Sequence, residues 1–194
     1  MSHSAVLTVG STRFDHLVAA ALSPSSLAAL SSLGVTQLLA QVGNSTLPLD
    51  WMEGSTVRAG GLRVEVVRFL RDLEERVGEA DVVVSHAGAG SILSFLRPLP
   101  PPASSHPPSD LDTCPHRQLV LVPNSTLMDS HQADLADEME NKGWAVVCRE
   151  PRQLSETLQR LSNKVRVDVA PEDNYPALDK GQVQRILDEA LGFA

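Results

Sequence analysis

Cysteine is nearly absent: Cys114 and Cys148 are the only two in 194 residues. That is too few for a disulfide framework or a cysteine-based zinc site, and it predicts a reducing compartment. Positive charge is short as well, with 16 Lys and Arg against 24 Asp and Glu and a formal net charge of −8. Nucleic acid is excluded as a partner on that ground, because gripping a phosphate backbone takes a cationic face. No apolar run reaches the ~18 residues of a membrane helix. Met1-Ser2-His3-Ser4 carries no cationic segment ahead of the first apolar run, so no signal peptide is expected. These absences predict a cytoplasmic protein, membrane-associated only where a partner holds it there.

Familiar chemical signatures are missing too. Gly10-Ser11-Thr12-Arg13 does not supply the G-x-G-x-x-G of a dinucleotide oxidoreductase, and no glycine-rich loop ends in Gly-Lys-Ser/Thr. Ser91, in Gly88-Ala89-Gly90-Ser91-Ile92, is one step out of the G-x-S-x-G pattern of a serine hydrolase. Cys114, His116 and His106 have no partners at ligand spacing, so no metal site is expected. Asp110-Leu111-Asp112 matches the D-x-D of metal-dependent sugar transferases, but it sits in a proline-rich loop and reads as solvated charge.

What is present is an alternation of apolar strands and amphipathic helices. Strands are expected over 5–9, 35–42, 62–67, 82–84, 119–122 and 145–148. Helices are expected from Phe14, from Ser23-Pro24 (Ser as N-cap, Pro at the first position) to about Gly34, and over 70–77. Others follow over 129–142 with Gly143 closing it, over 151–161, and over 180–191. Residues 43–61 read as a loop or irregular hairpin, and 98–117, rich in proline, as an inserted surface loop. The pattern predicts one Rossmann-like, doubly wound, mostly parallel α/β domain with ligands at the strand carboxyl ends.

The chain is organised around Ala80-Asp81-Val82-Val83-Val84-Ser85-His86-Ala87-Gly88-Ala89-Gly90-Ser91-Ile92-Leu93. A β-branched run suits a strand buried on both faces. It ends in a glycine-bearing turn that delivers the first amides of a helix, the positive end of its dipole and a natural seat for a diphosphate. Gly10-Ser11-Thr12 and the loop from Pro123 to Gln132 also follow apolar strands and precede helices, so three such loops share one sheet edge. Asn124, His131 and Gln132 add hydrogen-bonding groups, which suits a ligand with both phosphate and hydroxyls. A nucleotide sugar has both.

Ser85-His86-Ala87-Gly88-Ala89-Gly90-Ser91-Ile92-Leu93 and Val122-Pro123-Asn124-Ser125-Thr126-Leu127-Met128-Asp129-Ser130-His131-Gln132 together resemble the cytosolic catalytic subunits of a two-subunit eukaryotic transferase. That enzyme uses UDP-N-acetylglucosamine to add the second sugar to dolichyl diphosphate in N-glycan assembly. Thr8 to Val18 is similar to the same family's first strand and loop. The likeness extends to the donor half of the bacterial peptidoglycan N-acetylglucosaminyltransferase, a GT-B, family 28-like enzyme.

The resemblance implies a donor-binding GT-B half whose acceptor half is a separate, membrane-anchored subunit at the cytosolic face of the endoplasmic reticulum. It implies that Gly88, Gly90 and Ser91 face the diphosphate, with Gly10, Ser11 and Thr12 approaching from the first loop. Asn124, His131 and Gln132 would meet the sugar side, and the terminal helix would dock on the partner. No cofactor is implied; UDP-N-acetylglucosamine is a substrate. Where the family usually has an acidic residue to hold the ribose hydroxyls, this chain has Ser94. His86 is the catalytic candidate of this chain, with the partner as the other source of a base. A non-catalytic nucleotide-sugar-binding scaffold and a hydrolase using Ser91 are the alternatives.

Overall fold

The computed structural model describes residues 3–96, 117–124 and 131–165. The expected proline-rich insertion, except Arg117, and the expected terminal helix lie outside them. So do residues 125–130 and the side chain of His131.

Element follows element in the expected alternation: β1 (His3–Thr8), α1 (Asp15–Ala21), α2 (Pro24–Ser32), β2 (Val35–Gln41), β3 (Thr56–Ala59), β4 (Leu62–Val67) and α3 (Leu73–Glu79). Then come β5 (Val82–Ser85), α4 (Ala89–Leu96), β6 (Gln118–Leu121), α5 (His131–Asn141), β7 (Val146–Val147) and α6 (Leu154–Val165). Local chemistry explains the ends. Ser23 Oγ accepts the Ser26 N–H at 3.3 Å and Pro24 opens α2, as its sequence requires. Gly143, at φ +71°, closes α5 in the left-handed region.

The strands form one sheet in the order β3-β4-β2-β1-β5-β6-β7, parallel throughout except for β3 against β4. Of the two expectations for 43–61, loop or irregular hairpin, the second holds for the end of the segment. Its last third is an edge strand, turned back by Gly60 and Gly61 at φ +58° and +85°. Three corrections concern boundaries. α3 begins at Leu73 rather than at residue 70, after Asp72, whose carboxylate pairs with Arg76 one turn on. The segment from Pro151 starts as a 3₁₀ turn before α6, and β7 is only two residues long.

Alternation along the central strands builds two cores. Leu7, Val9, Val82, Val84 and Val120 face α1, α2 and α6 through Leu17, Leu30 and Leu158. Val6, Val83, Leu119 and Leu121 face α3, α4 and α5 through Val77, Phe95 and Met139. Both faces of the parallel strands are thus covered, which is why they read as unbroken apolar runs.

Chain direction across the sheet reverses at one place. From β1 the chain builds outward through β2 and β4, then returns through α3 to β5 on the other side of β1. The carboxyl ends of β1 and β5 therefore flank a topological switch point, where open α/β sheets hold their ligands.

Candidate functional site at the β1–β5 switch point

Thr8 and Ser85 end β1 and β5 in register, and the loops that leave them are packed together. The His86 N–H donates to Thr8 O at 3.3 Å, and His86 Nδ1 lies 3.4 Å from the same carbonyl. A carbonyl can only accept, so Nδ1 carries the proton in that hydrogen bond and Nε2 keeps its lone pair. His86 as a whole is 7% exposed. It lies in a slot between two glycines: a Cβ at Gly10 would stand 3.1 Å from Cε1, and one at Gly88 only 2.5 Å from Nε2. Gly88 thus makes room for an imidazole of its own chain, a reason for that glycine that the sequence pattern does not reveal.

Between them Ala87 holds φ +63°, the one non-glycine in the left-handed region among the described residues. A conformation that costs an L-residue roughly 1–2 kcal/mol is tolerated here because the methyl is packed in the α3–α4–α5 core. This kink turns the chain sharply from β5 into α4. In α4 the first amide to reach back is that of Ile92, which donates to Gly88 O at 3.2 Å. The N–H groups of Ala89, Gly90 and Ser91 come before it and have no carbonyl one turn back. Ala89 and Gly90 are exposed, and a side chain at Gly90 would meet no atom of the described residues within 4 Å. The start of α4 is therefore an open set of donors at the positive end of a helix.

The first loop differs. Gly10 N–H donates to Thr8 Oγ1 (3.1 Å) and Gln41 Oε1 (3.0 Å), so the amide expected to approach a diphosphate is engaged within the chain. Thr12 N–H and Oγ1 both donate to Val9 O. Ser11 is exposed. Ser94, one turn into α4, donates its hydroxyl to Gly90 O at 2.9 Å; its oxygen lone pairs remain for a ligand hydroxyl.

The third loop is tied to the first across 111 residues. Asn124, 4% exposed, donates from Nδ2 to Arg13 O (3.4 Å), while its own N–H is accepted by Gln132 Oε1 (3.2 Å). All three loops are thus brought to one edge. Arg13 pairs with Asp15 at the start of α1, and that guanidinium holds the Asp15 carboxyl down to about 2. Sequence reasoning missed Gln41, Asn44 and Arg68, which brace the loops from β2 and β4. Their signal is weak in one dimension, because each works through backbone carbonyls far away in sequence.

Burial holds the His86 pKa below its ordinary value, outweighing the hydrogen bond to Thr8 O. A group that protonates more readily unfolded than folded withdraws stability as pH falls. We expect Tm to be level above pH ~6.5 and to decline as pH drops below it toward the lowered folded value. In His86→Gln the decline just below pH ~6.5 is expected to be largely gone; identical pH profiles for both proteins would contradict the assignment.

Comparison with known proteins follows the same line. Residues 4–98 match the glycosyltransferase family 28 C-terminal domain. The chain is 33% identical over 211 aligned positions to "UDP-N-acetylglucosamine transferase subunit ALG13" of Cryptococcus neoformans, covering 97% of this chain and 96% of that one. An NMR solution structure of ALG13 aligns over 96% of this chain and 94% of its own, with TM-score 0.57 and 21% identity. Acinetobacter baumannii MurG aligns over 97% of this chain and 49% of its own, with TM-score 0.51 and 18% identity. At such identities the two structures speak for the fold alone, and they agree with the expected Rossmann-like, GT-B type of sheet.

Proposed function

From the premise that this chain belongs to the family of UDP-N-acetylglucosamine transferase ALG13 subunits, we propose that it is the catalytic, donor-binding half of a two-subunit transferase. The complex adds the second N-acetylglucosamine to dolichyl-diphosphate-N-acetylglucosamine. The observation that carries this reading is the open turn of amides at Ala89, Gly90 and Ser91, set at the switch point between β1 and β5.

The diphosphate sits on those amides, with Ser11 opposite. As the anomeric bond breaks, negative charge grows on the UDP oxygens, and donors already aimed there stabilise it without reorganising. Asn124, His131 and Gln132 take the sugar side, and Ser94, its own proton given to Gly90 O, accepts from a ribose hydroxyl without a carboxylate's charge. His86, neutral and with Nε2 unprotonated, is this chain's candidate base. Inverting transfer needs an acceptor hydroxyl in line with the anomeric carbon. One α/β half forms only one wall of such a cleft. No helix of the described residues is long and apolar enough to cross a membrane. The membrane-anchored partner brings the lipid-linked acceptor, and the terminal segment 180–191 docks on it.

Reconstitution tests this. Transfer from UDP-N-acetylglucosamine to the lipid-linked acceptor is expected with both subunits together and at background with either alone. Equal activity with and without the partner would end the two-subunit proposal. A second reading, a nucleotide-sugar-binding scaffold without catalysis, draws on the Ser94 hydroxyl being turned to Gly90 O. Donor binding with no transfer in the full complex would favour it.

A further inference from the structure

We propose that Gln41 and Asn44 are positioning residues whose task is to present Ser11 to the diphosphate. This deepens the function proposed above and rests on it. Gln41 closes β2 opposite Thr8 and is 1% exposed. Its Oε1 accepts from Gly10 N–H (3.0 Å) and from the Thr8 hydroxyl (2.6 Å). Its Nε2 donates to Gly10 O (2.7 Å) and to Arg68 O (2.5 Å). Gly10 N–H can only donate and the two carbonyls can only accept, so a flipped carboxamide would lose those three contacts, the Thr8 hydroxyl alone being able to bond either end.

Asn44 works from the next loop. Its N–H donates to Thr12 O at 3.2 Å and its Nδ2 to Ser11 O at 2.8 Å. The approach is close because Gly43 has no side chain: a Cβ there, at φ +51°, would stand 2.5 Å from Gly10 O and 2.7 Å from Thr12 O. With Thr12 N–H returned to Val9 O, the polar backbone of the loop is committed on every side but one. Among the described residues no hydrogen bond engages the Ser11 N–H or its hydroxyl, and Ser11 is exposed. Two side chains thus hold a short loop by its peptides and leave one exposed residue's donors without a partner among the described residues. A supporting shell of this kind is what a contact accurate to a fraction of an ångström requires.

The test is a kinetic double-mutant cycle in the reconstituted complex, varying UDP-N-acetylglucosamine and the lipid-linked acceptor separately. Asn44→Ala alters an exposed side chain; Gln41→Glu keeps the shape but replaces the donating nitrogen. Each is expected to raise the donor KM at least about fivefold, the scale of one lost hydrogen bond, with the acceptor KM unchanged. Ser11→Ala combined with Asn44→Ala is expected to fall short of the product of the two single effects, because the hydroxyl that the first removes is one of the two donors that Asn44 presents. An unchanged donor KM in folded Asn44→Ala, or fully multiplicative effects, would overturn the inference. Should Gln41→Glu not fold, Asn44→Ala and its cycle decide alone. A wild-type complex without transfer would instead overturn the functional proposal and this inference with it.

Discussion

Gly88→Val is expected to lower sugar transfer by the assembled complex about 100-fold or more while the sheet still folds. The reason is the 2.5 Å between the position of a Cβ at Gly88 and His86 Nε2. The imidazole has little room to shift, since Gly10 also crowds its Cε1 and Thr8 O holds Nδ1. It must leave its slot, and the turn that aims the amides of α4 shifts with it. Overpacking of this sort costs about 1–3 kcal/mol of stability. The milder Gly88→Ala, combined with His86→Ala, separates two explanations. If the glycine exists to admit the imidazole, Gly88→Ala costs little stability in the His86→Ala background. An equal cost in both backgrounds would mean that Gly88 serves something else.

Phe95→Ala is expected to be the most destabilising single change in the described core, lowering the unfolding free energy by about 3–5 kcal/mol. Set against a typical total of about 5–15 kcal/mol, that brings the domain near its limit. Phe95 is fully buried on the inner face of α4, packed in the cluster that contains Val77, Leu119 and Leu121. The Arg117 guanidinium stands 4.3 Å from its ring centroid and donates to the carbonyls of Val77, Ala80 and Phe95. One arginine therefore closes the carboxyl ends of both α3 and α4, and its platform is the ring. Losing the ring leaves a cavity and removes the platform under a guanidinium that keeps its carbonyl bonds, and α4 is the helix whose start carries the candidate site. Urea unfolding measures the effect. A loss under about 1 kcal/mol would show that α4 is held by something other than this contact.

Much of this architecture is legible in the sequence because both its periods are clean. Val82-Val83-Val84 and Leu119-Val120-Leu121-Val122 suit strands covered on both faces, as they prove to be, and Ser23-Pro24 announces its helix by its own hydrogen-bonding chemistry. The convergence of three loops follows from the parallel order. Other features are invisible in one dimension. The hairpin of β3 is short, exposed and one-sided, so its apolar signal is faint. Gly88 reads as a gap for a ligand, whereas its nearest neighbour is an imidazole two residues back, brought there by the left-handed kink at Ala87. Gln41 looks like an ordinary strand end; only the register of β1 with β2 sets it against Gly10.

The claim on which the rest depends is that the amides beginning α4 hold the donor's diphosphate. Following backbone amide shifts of the labelled chain during titration with UDP-N-acetylglucosamine tests it most directly. The largest, saturable changes are expected at Ala89, Gly90, Ser91 and Ser11, with UDP alone reproducing most of them. Saturable changes confined to other parts of the sheet, or amides at Ala89 to Ser91 that stay unmoved at millimolar donor, would contradict it.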